Sequence, residues 1–177
     1  MQSVTLKDKT FVPYITSDKI LESVKVMAQK VNLELEKEKP LFLVVLNGSF
    51  MFAADLLKEV KIECEISFIK LASYHGTSST GTVTEMIGLT EEVKGRTVVI
   101  VEDIVDTGVT LEKLVHLLNK KEVKQIKVAS FLLKPDAYKK DIPVDYVGIE
   151  IPNDFVVGYG LDYDGLGRNM KDIFVLK

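Results

Sequence analysis

The polar chemistry of this sequence is concentrated at residues 98–110, V-V-I-V-E-D-I-V-D-T-G-V-T. Glu102 and Asp103 are adjacent carboxylates, able to accept hydrogen bonds from a vicinal diol or to support Mg²⁺. Asp106, Thr107, Gly108, Val109 and Thr110 then lead into a helical pattern. Gly108 lets the backbone approach a ligand closely. Successive N–H groups and the helix N-terminus there form an anion nest suited to a monophosphate. Thr107 and Thr110 add hydroxyl donors. Two plainer interpretations compete. An acidic strand end before a helix is also an ordinary turn, with Asp106 or Thr107 as a cap. Asp106-Thr107-Gly108 is also the Asp-Thr-Gly of aspartic proteases. That chemistry needs a second aspartate and an all-β chain, whereas an amphipathic helix follows here.

These residues must be held by the elements around them. Residues 97–101 form an apolar, β-branched run, and Leu111, Leu114, Val115 and Leu118 mark the next helix. The acidic segment is therefore expected beyond the carboxyl end of a strand, where open α/β sheets collect ligands. Residues 1–15, with Pro13, are expected as an extended lead-in. A helix is predicted from Ser17, its candidate N-cap, with Ile20, Val24, Met27 and Val31 on one face. Pro40 closes it. Residues 41–46 are fully apolar, a buried strand entering the turn Asn47-Gly48-Ser49. Residues 50–60 are again helical. Residues 62–68 alternate as a half-buried strand, with Cys64 on the apolar face as a small core hydrophobe. Residues 74–84, rich in Gly, Ser and Thr, form a hairpin loop or a lid. Strands are expected at 126–133, 146–151 and 173–176. This alternation predicts an α/β domain with a mainly parallel sheet.

Composition removes whole classes of function. A length of 177 residues predicts one domain, and 46% hydrophobic against 28% charged residues excludes wholesale disorder. With 23 basic and 26 acidic residues the net charge is −3, which argues against nucleic acid as a partner. No apolar stretch approaches the roughly 18–20 residues of a membrane span. The first residues lack an apolar secretory core, so a cytoplasmic location is expected. Cys64 is alone, so neither a disulfide nor a thiolate zinc cluster can form within the chain. His75 and His116 have no companion at ligand spacing.

Residues 98–110 resemble the phosphoribosyl pyrophosphate (PRPP) motif of type I phosphoribosyltransferases. Four further segments resemble the hypoxanthine-guanine branch of that family, in the same order along the chain. They are L-V-V-L-N-G-S at 43–49, the pair Ser73-Tyr74, F-L-L-K ending in Lys134, and I-P-N-D-F-V-V-G-Y-G-L-D-Y from Ile151. The resemblance covers most of residues 10–177. It implies the type I fold, a twisted, mainly parallel sheet flanked by helices. Residues 1–177 would be one domain, with a core at about 38–150 and a small hood from about 1–15 and 151–177.

The implied activity is Mg²⁺-dependent transfer of phosphoribose from PRPP to N9 of hypoxanthine or guanine, releasing pyrophosphate. By resemblance, Glu102 and Asp103 would hold the ribose hydroxyls and a metal ion, and Asp106 would be the general base. Residues Asp106, Thr107, Gly108, Val109 and Thr110 would bind the 5′-phosphate. Asn47, Gly48 and Arg168 would meet pyrophosphate, and Ser73 and Tyr74 would open the lid. Lys134 would bond O6 of the base, Phe155 would stack on it, and Val156 would offer backbone groups to its edge. Asp162 would contact the base through its backbone and a second Mg²⁺ through water. Asn47 and Val109 stand where many relatives carry Lys. The Leu46–Asn47 peptide would be cis. A homodimer or homotetramer is implied, with no membrane partner. The alternatives are a different base preference, such as xanthine, or a non-catalytic regulatory protein that only binds PRPP.

Overall fold

Five consecutive buried residues, Leu41–Val45, form the strand on which the large sheet is built. The computed structural model describes residues 2–72, 84–89 and 91–177. In chain order its elements are β1 (Val4–Leu6), β2 (Lys9–Ile15), α1 (Ser17–Glu34), β3 (Leu41–Val45), α2 (Phe50–Glu59), β4 (Glu65–Ala72) and β5 (Thr84–Ile87). There follow β6 (Thr97–Val105), α3 (Val109–Lys120), β7 (Gln125–Leu133), β8 (Tyr146–Glu150), β9 (Val156–Val157) and β10 (Ile173–Leu176).

The larger sheet has the order β5-β4-β3-β6-β7-β8. Every pairing in it is parallel except the antiparallel pairing of β4 with β5. A parallel sheet needs cover on both faces. Phe42, Val44, Val99 and Val101 point into one core with α1 and α2, while Leu41, Leu43, Val98 and Ile100 point into a second core under α3. The strict alternation along β3 and β6 thus divides consecutive apolar residues between two layers.

The extended lead-in is paired. β1 and β2 make an antiparallel hairpin, and β10 inserts between β2 and β9 to complete a second sheet, β1-β2-β10-β9. Proline cannot donate to a ladder. Pro13 is accommodated where the β2–β10 register shifts, between Ile173 and Phe174.

Other expectations need correction. The cap of α1 is Thr16, whose Oγ1 accepts the Lys19 N–H at 3.3 Å. Ser17 is already helical and gives its N–H to Asp172 Oδ1 at 2.7 Å. β4 starts at Glu65, so Cys64 precedes it, half-buried against the core. Along β4 the buried residues are Ser67 and Ile69, while Ile66 and Phe68 are 48% and 46% exposed. Ile66 and Phe68 lie beside Phe42 and Val44, on the face of α1 and α2, but beyond the cover of those helices. β6 also runs further than its apolar stretch. Its pairing with β7 continues through Glu102↔Ser130 to Val105↔Leu133, which puts Glu102 and Asp103 inside the strand.

Candidate active site

Three parallel strands deliver their carboxyl ends to one edge of the sheet. β3 ends in the turn 46–49, where the Leu46–Asn47 peptide is cis. Asn47 is exposed and Gly48 buried. A Cβ on Gly48 would overlap the Asp103 carboxylate, so glycine is needed for this turn to lie on β6.

At the end of β6 the chain turns at Asp106 and Thr107 and enters α3 at Val109. Gly108 is the helix cap, left-handed at φ 80°. A Cβ there would also meet the Tyr138 ring. The first N–H groups of α3 have no acceptor within the helix. They border a pocket of about 100 Å³ lined by Glu102 and residues 104–111. Thr107, Val109 and Thr110 are exposed at its rim.

β7 runs to Leu133, and the ammonium of Lys134, the next residue, pairs with Asp106 Oδ2 at 2.9 Å. The lysine side chain is 9% exposed and the carboxylate 44%. Sequence reasoning assigned these two residues separate tasks and did not foresee that they meet. The parallel register aligns Val105 with Leu133, so the residues that follow each strand become neighbours. Registers of that kind are not written in either motif.

The C-terminal segment supplies the opposite wall. Arg168 Nη2 pairs with Asp162 Oδ1 at 2.7 Å, and Arg168 Nη1 donates to the Gly160 carbonyl at 2.6 Å. Asp162 Oδ2 accepts the Gly165 N–H at 2.6 Å. Arg168 has five N–H groups, so these two contacts leave others for an anion. Phe155 is half-exposed and packs its ring against Phe11 and Tyr163, with the Lys9 ammonium 5.7 Å from its centroid. Val156 is buried in β9, the edge strand of the small sheet, paired with β10 and, among the described residues, with no second strand. Ser73 and Tyr74 lie outside the described residues.

Electrostatically, the edge carries uncompensated acid. Burial, with the neighbouring Asp103 charge, pushes the Glu102 carboxyl well above its usual range. Burial raises Asp103 to about 6; its backbone hydrogen bonds and the Arg168 charge offset only part of this, and Asp162 adds to it. A divalent cation would supply the missing charge, and carboxylate oxygens suit Mg²⁺. Among the described residues no three acidic, His or Cys side chains converge into a metal cage.

An acid pair, an anion nest and a guanidinium at the carboxyl edge of a parallel sheet suit a phosphorylated sugar. The sequence profile of the phosphoribosyl transferase domain matches residues 15–164. The chain belongs to the phosphoribosyltransferase family. Hypoxanthine-guanine phosphoribosyltransferase of Bacillus subtilis (strain 168) is 41% identical over 164 residues, 92% of this chain and 91% of that protein. A protein of the same name from Staphylococcus epidermidis is 45% identical over 143 residues, 80% of each chain. A crystal structure of a hypoxanthine phosphoribosyltransferase from Staphylococcus aureus superposes with a TM-score of 0.87 at 36% identity. It covers 94% of this phosphoribosyltransferase and 91% of that chain. The expected type I fold is thereby established for this chain.

Proposed function

We propose that this phosphoribosyltransferase serves purine salvage by moving phosphoribose from PRPP to N9 of hypoxanthine or guanine, giving IMP or GMP and pyrophosphate. The observation that carries the choice of base is the Lys134–Asp106 pair, beside the phosphate nest. It sets an ammonium donor next to a carboxylate acceptor. A 6-oxopurine bearing a proton on N7 has the complementary pattern on one edge, acceptor O6 beside donor N7–H. Lys134 would bond O6, and Asp106 would take the ring proton as the N9–C1′ bond forms. General bases act by such short-range transfer in the transition state.

The remaining groups divide the PRPP molecule between them. The N–H groups entering α3, with Thr107 and Thr110, would hold the 5′-phosphate at Gly108 and Val109. Glu102 and Asp103 would take the ribose hydroxyls and one Mg²⁺, and Asp162 a second through water. When bound, Mg²⁺ neutralises charge on the diphosphate. Arg168 and the backbone of Asn47 and Gly48 would receive pyrophosphate as negative charge develops on it. Asn47 and Val109 leave those two subsites without a lysine, so backbone donors would do most of the binding. Phe155 and the free edge of β9 at Val156 would cover the base. In this reading the small sheet is the hood of a single domain. A homodimer or homotetramer is part of the same reading. It is supported by half-exposed Phe50, just beyond the 46–49 turn, with Ile66 and Phe68. A cytoplasmic setting completes it.

A base panel tests the assignment. With PRPP and Mg²⁺, hypoxanthine and guanine should form nucleotide efficiently and adenine essentially none. Adenine presents an amino donor where Lys134 requires an acceptor. Sites built around a buried polar group can reject the mismatched partner by roughly 10⁴-fold. Lys134→Ala should lower kcat/KM for both oxopurines at least about tenfold, through loss of one charge-assisted hydrogen bond. Adenine turnover comparable with hypoxanthine would refute the substrate class.

A further inference from the structure

Tyr159 is a buried aromatic residue with no part in the chemistry above. It is 3% exposed and stands at φ 51° between Gly158 at 98° and Gly160 at 99°. A left-handed backbone is unfavourable for any residue with a Cβ, so surrounding contacts must hold it. Its ring meets Phe131 edge-on at 5.0 Å, its N–H donates to the Met170 carbonyl at 2.7 Å, and its hydroxyl donates to Asp55 Oδ2 at 3.0 Å. Asp55 belongs to α2, which begins directly after the Asn47-Gly48 turn.

The next residue makes the link to the site. Gly160 exchanges hydrogen bonds with Arg168, giving its N–H to the Arg168 carbonyl at 2.9 Å and accepting from Nη1 at 2.6 Å. A Cβ on Gly160 would overlap the Gly48 carbonyl, and a Cβ on Gly48 would overlap the Asp103 carboxylate. The Gly48 peptide is therefore held between β6 and the 158–160 turn. That turn touches the pyrophosphate side of the site directly at Gly160 and, through α2, again at Tyr159.

We propose that Tyr159 is a positioning residue for pyrophosphate, whose hydrogen bond to Asp55 fixes the 158–160 turn, and with it Arg168, against Gly48. The inference rests on the reading that Arg168 and Gly48 receive pyrophosphate. Burial and the Asp55 carboxylate push the Tyr159 phenol above its ordinary range, so it stays a donor at working pH.

Calorimetric titration of the full chain with pyrophosphate and Mg²⁺, beside steady-state kinetics, separates the possibilities. Tyr159→Phe should weaken pyrophosphate and raise KM for PRPP about three- to tenfold, the worth of one hydrogen bond. KM for hypoxanthine should move less than about twofold. Asp55→Ala should reproduce the effect and carries the test should Tyr159→Phe not fold. Asp55→Asn, which keeps an acceptor oxygen, should restore pyrophosphate affinity. Unchanged pyrophosphate affinity in both Tyr159→Phe and Asp55→Ala would overturn the proposal. So would equal weakening of every ligand in step with a lower unfolding midpoint. A wild-type chain that binds pyrophosphate but makes no nucleotide would refute the enzymatic reading alone, and the titration would still judge Tyr159.

Discussion

Asp106 and Lys134 illustrate how much a residue's role depends on its nearest partner. A carboxylate at a strand end is ambiguous as a sequence feature, equally a helix cap or a base. An ammonium with 9% exposure at 2.9 Å removes much of that ambiguity, because a buried lysine needs a partner and has one. The pair fixes the Asp106 carboxylate, which on the proposed reading would face an incoming base. Asp106→Asn keeps the shape of the loop but removes the proton acceptor. It should lower kcat by about 10²–10⁴-fold, the usual contribution of a general base. PRPP affinity should change far less if, as proposed, backbone groups of the same loop hold the phosphate. Titration of the variant with PRPP checks this, and near-normal kcat would exclude Asp106 from the chemistry.

At the level of elements, legibility followed periodicity. β3, α3 and β7 lie where their apolar patterns put them, because each has a face with one clear destination. The pattern at 62–68 misled for the opposite reason. Apolar residues occupy both faces of β4: Ile69 joins the core under α3, while Phe68 lies on the α1 and α2 face beyond the cover of those helices. β2 was hidden because its partner β10 lies at the other end of the chain, and β1, paired to β2, was hidden with it. The contacts of Gly48 and Gly160 were equally hidden, since a glycine's purpose depends on the backbone it approaches. The loop entering α3 provides the sharpest test at this scale. Gly108→Ala would force a Cβ into a left-handed residue and against the Tyr138 ring. A cost of about 1–3 kcal/mol should appear in the denaturant midpoint. PRPP binding should weaken while free hypoxanthine binding does not, and equal loss of both would argue against a phosphate site here.

Across the whole molecule, the buried acids of β6 set a pH dependence opposite in sign to that of salt-bridged carboxylates. In the unfolded chain Asp103 and Glu102 ionise near their ordinary values of 3.8 and 4.5. Folded, Asp103 holds its proton to about 6 and Glu102 to well above its usual range. The native state therefore binds more protons through this window, and stability falls as pH rises across it. Asp8 and Glu38, held below their ordinary values by their partners, act in the other direction but only at lower pH. The metal-free protein should melt higher near about pH 5 than near about pH 7.5, and Glu102→Gln should flatten the difference. Mg²⁺ with PRPP, favouring the ionised acids, should stabilise most at the higher pH. A flat melting profile would place these carboxyls in water. The position of β10 between β2 and β9 has a further consequence, for biosynthesis. Ile15 pairs with Ile173, so the first long strand made must wait while the entire six-stranded sheet is translated. The six-stranded sheet, with the loop entering α3, can assemble during synthesis, but the sheet behind Phe155 closes only after β10 has left the ribosome. On this ordering a nascent chain has the Lys134–Asp106 pair and the loop entering α3 before it has the wall that would cover a base.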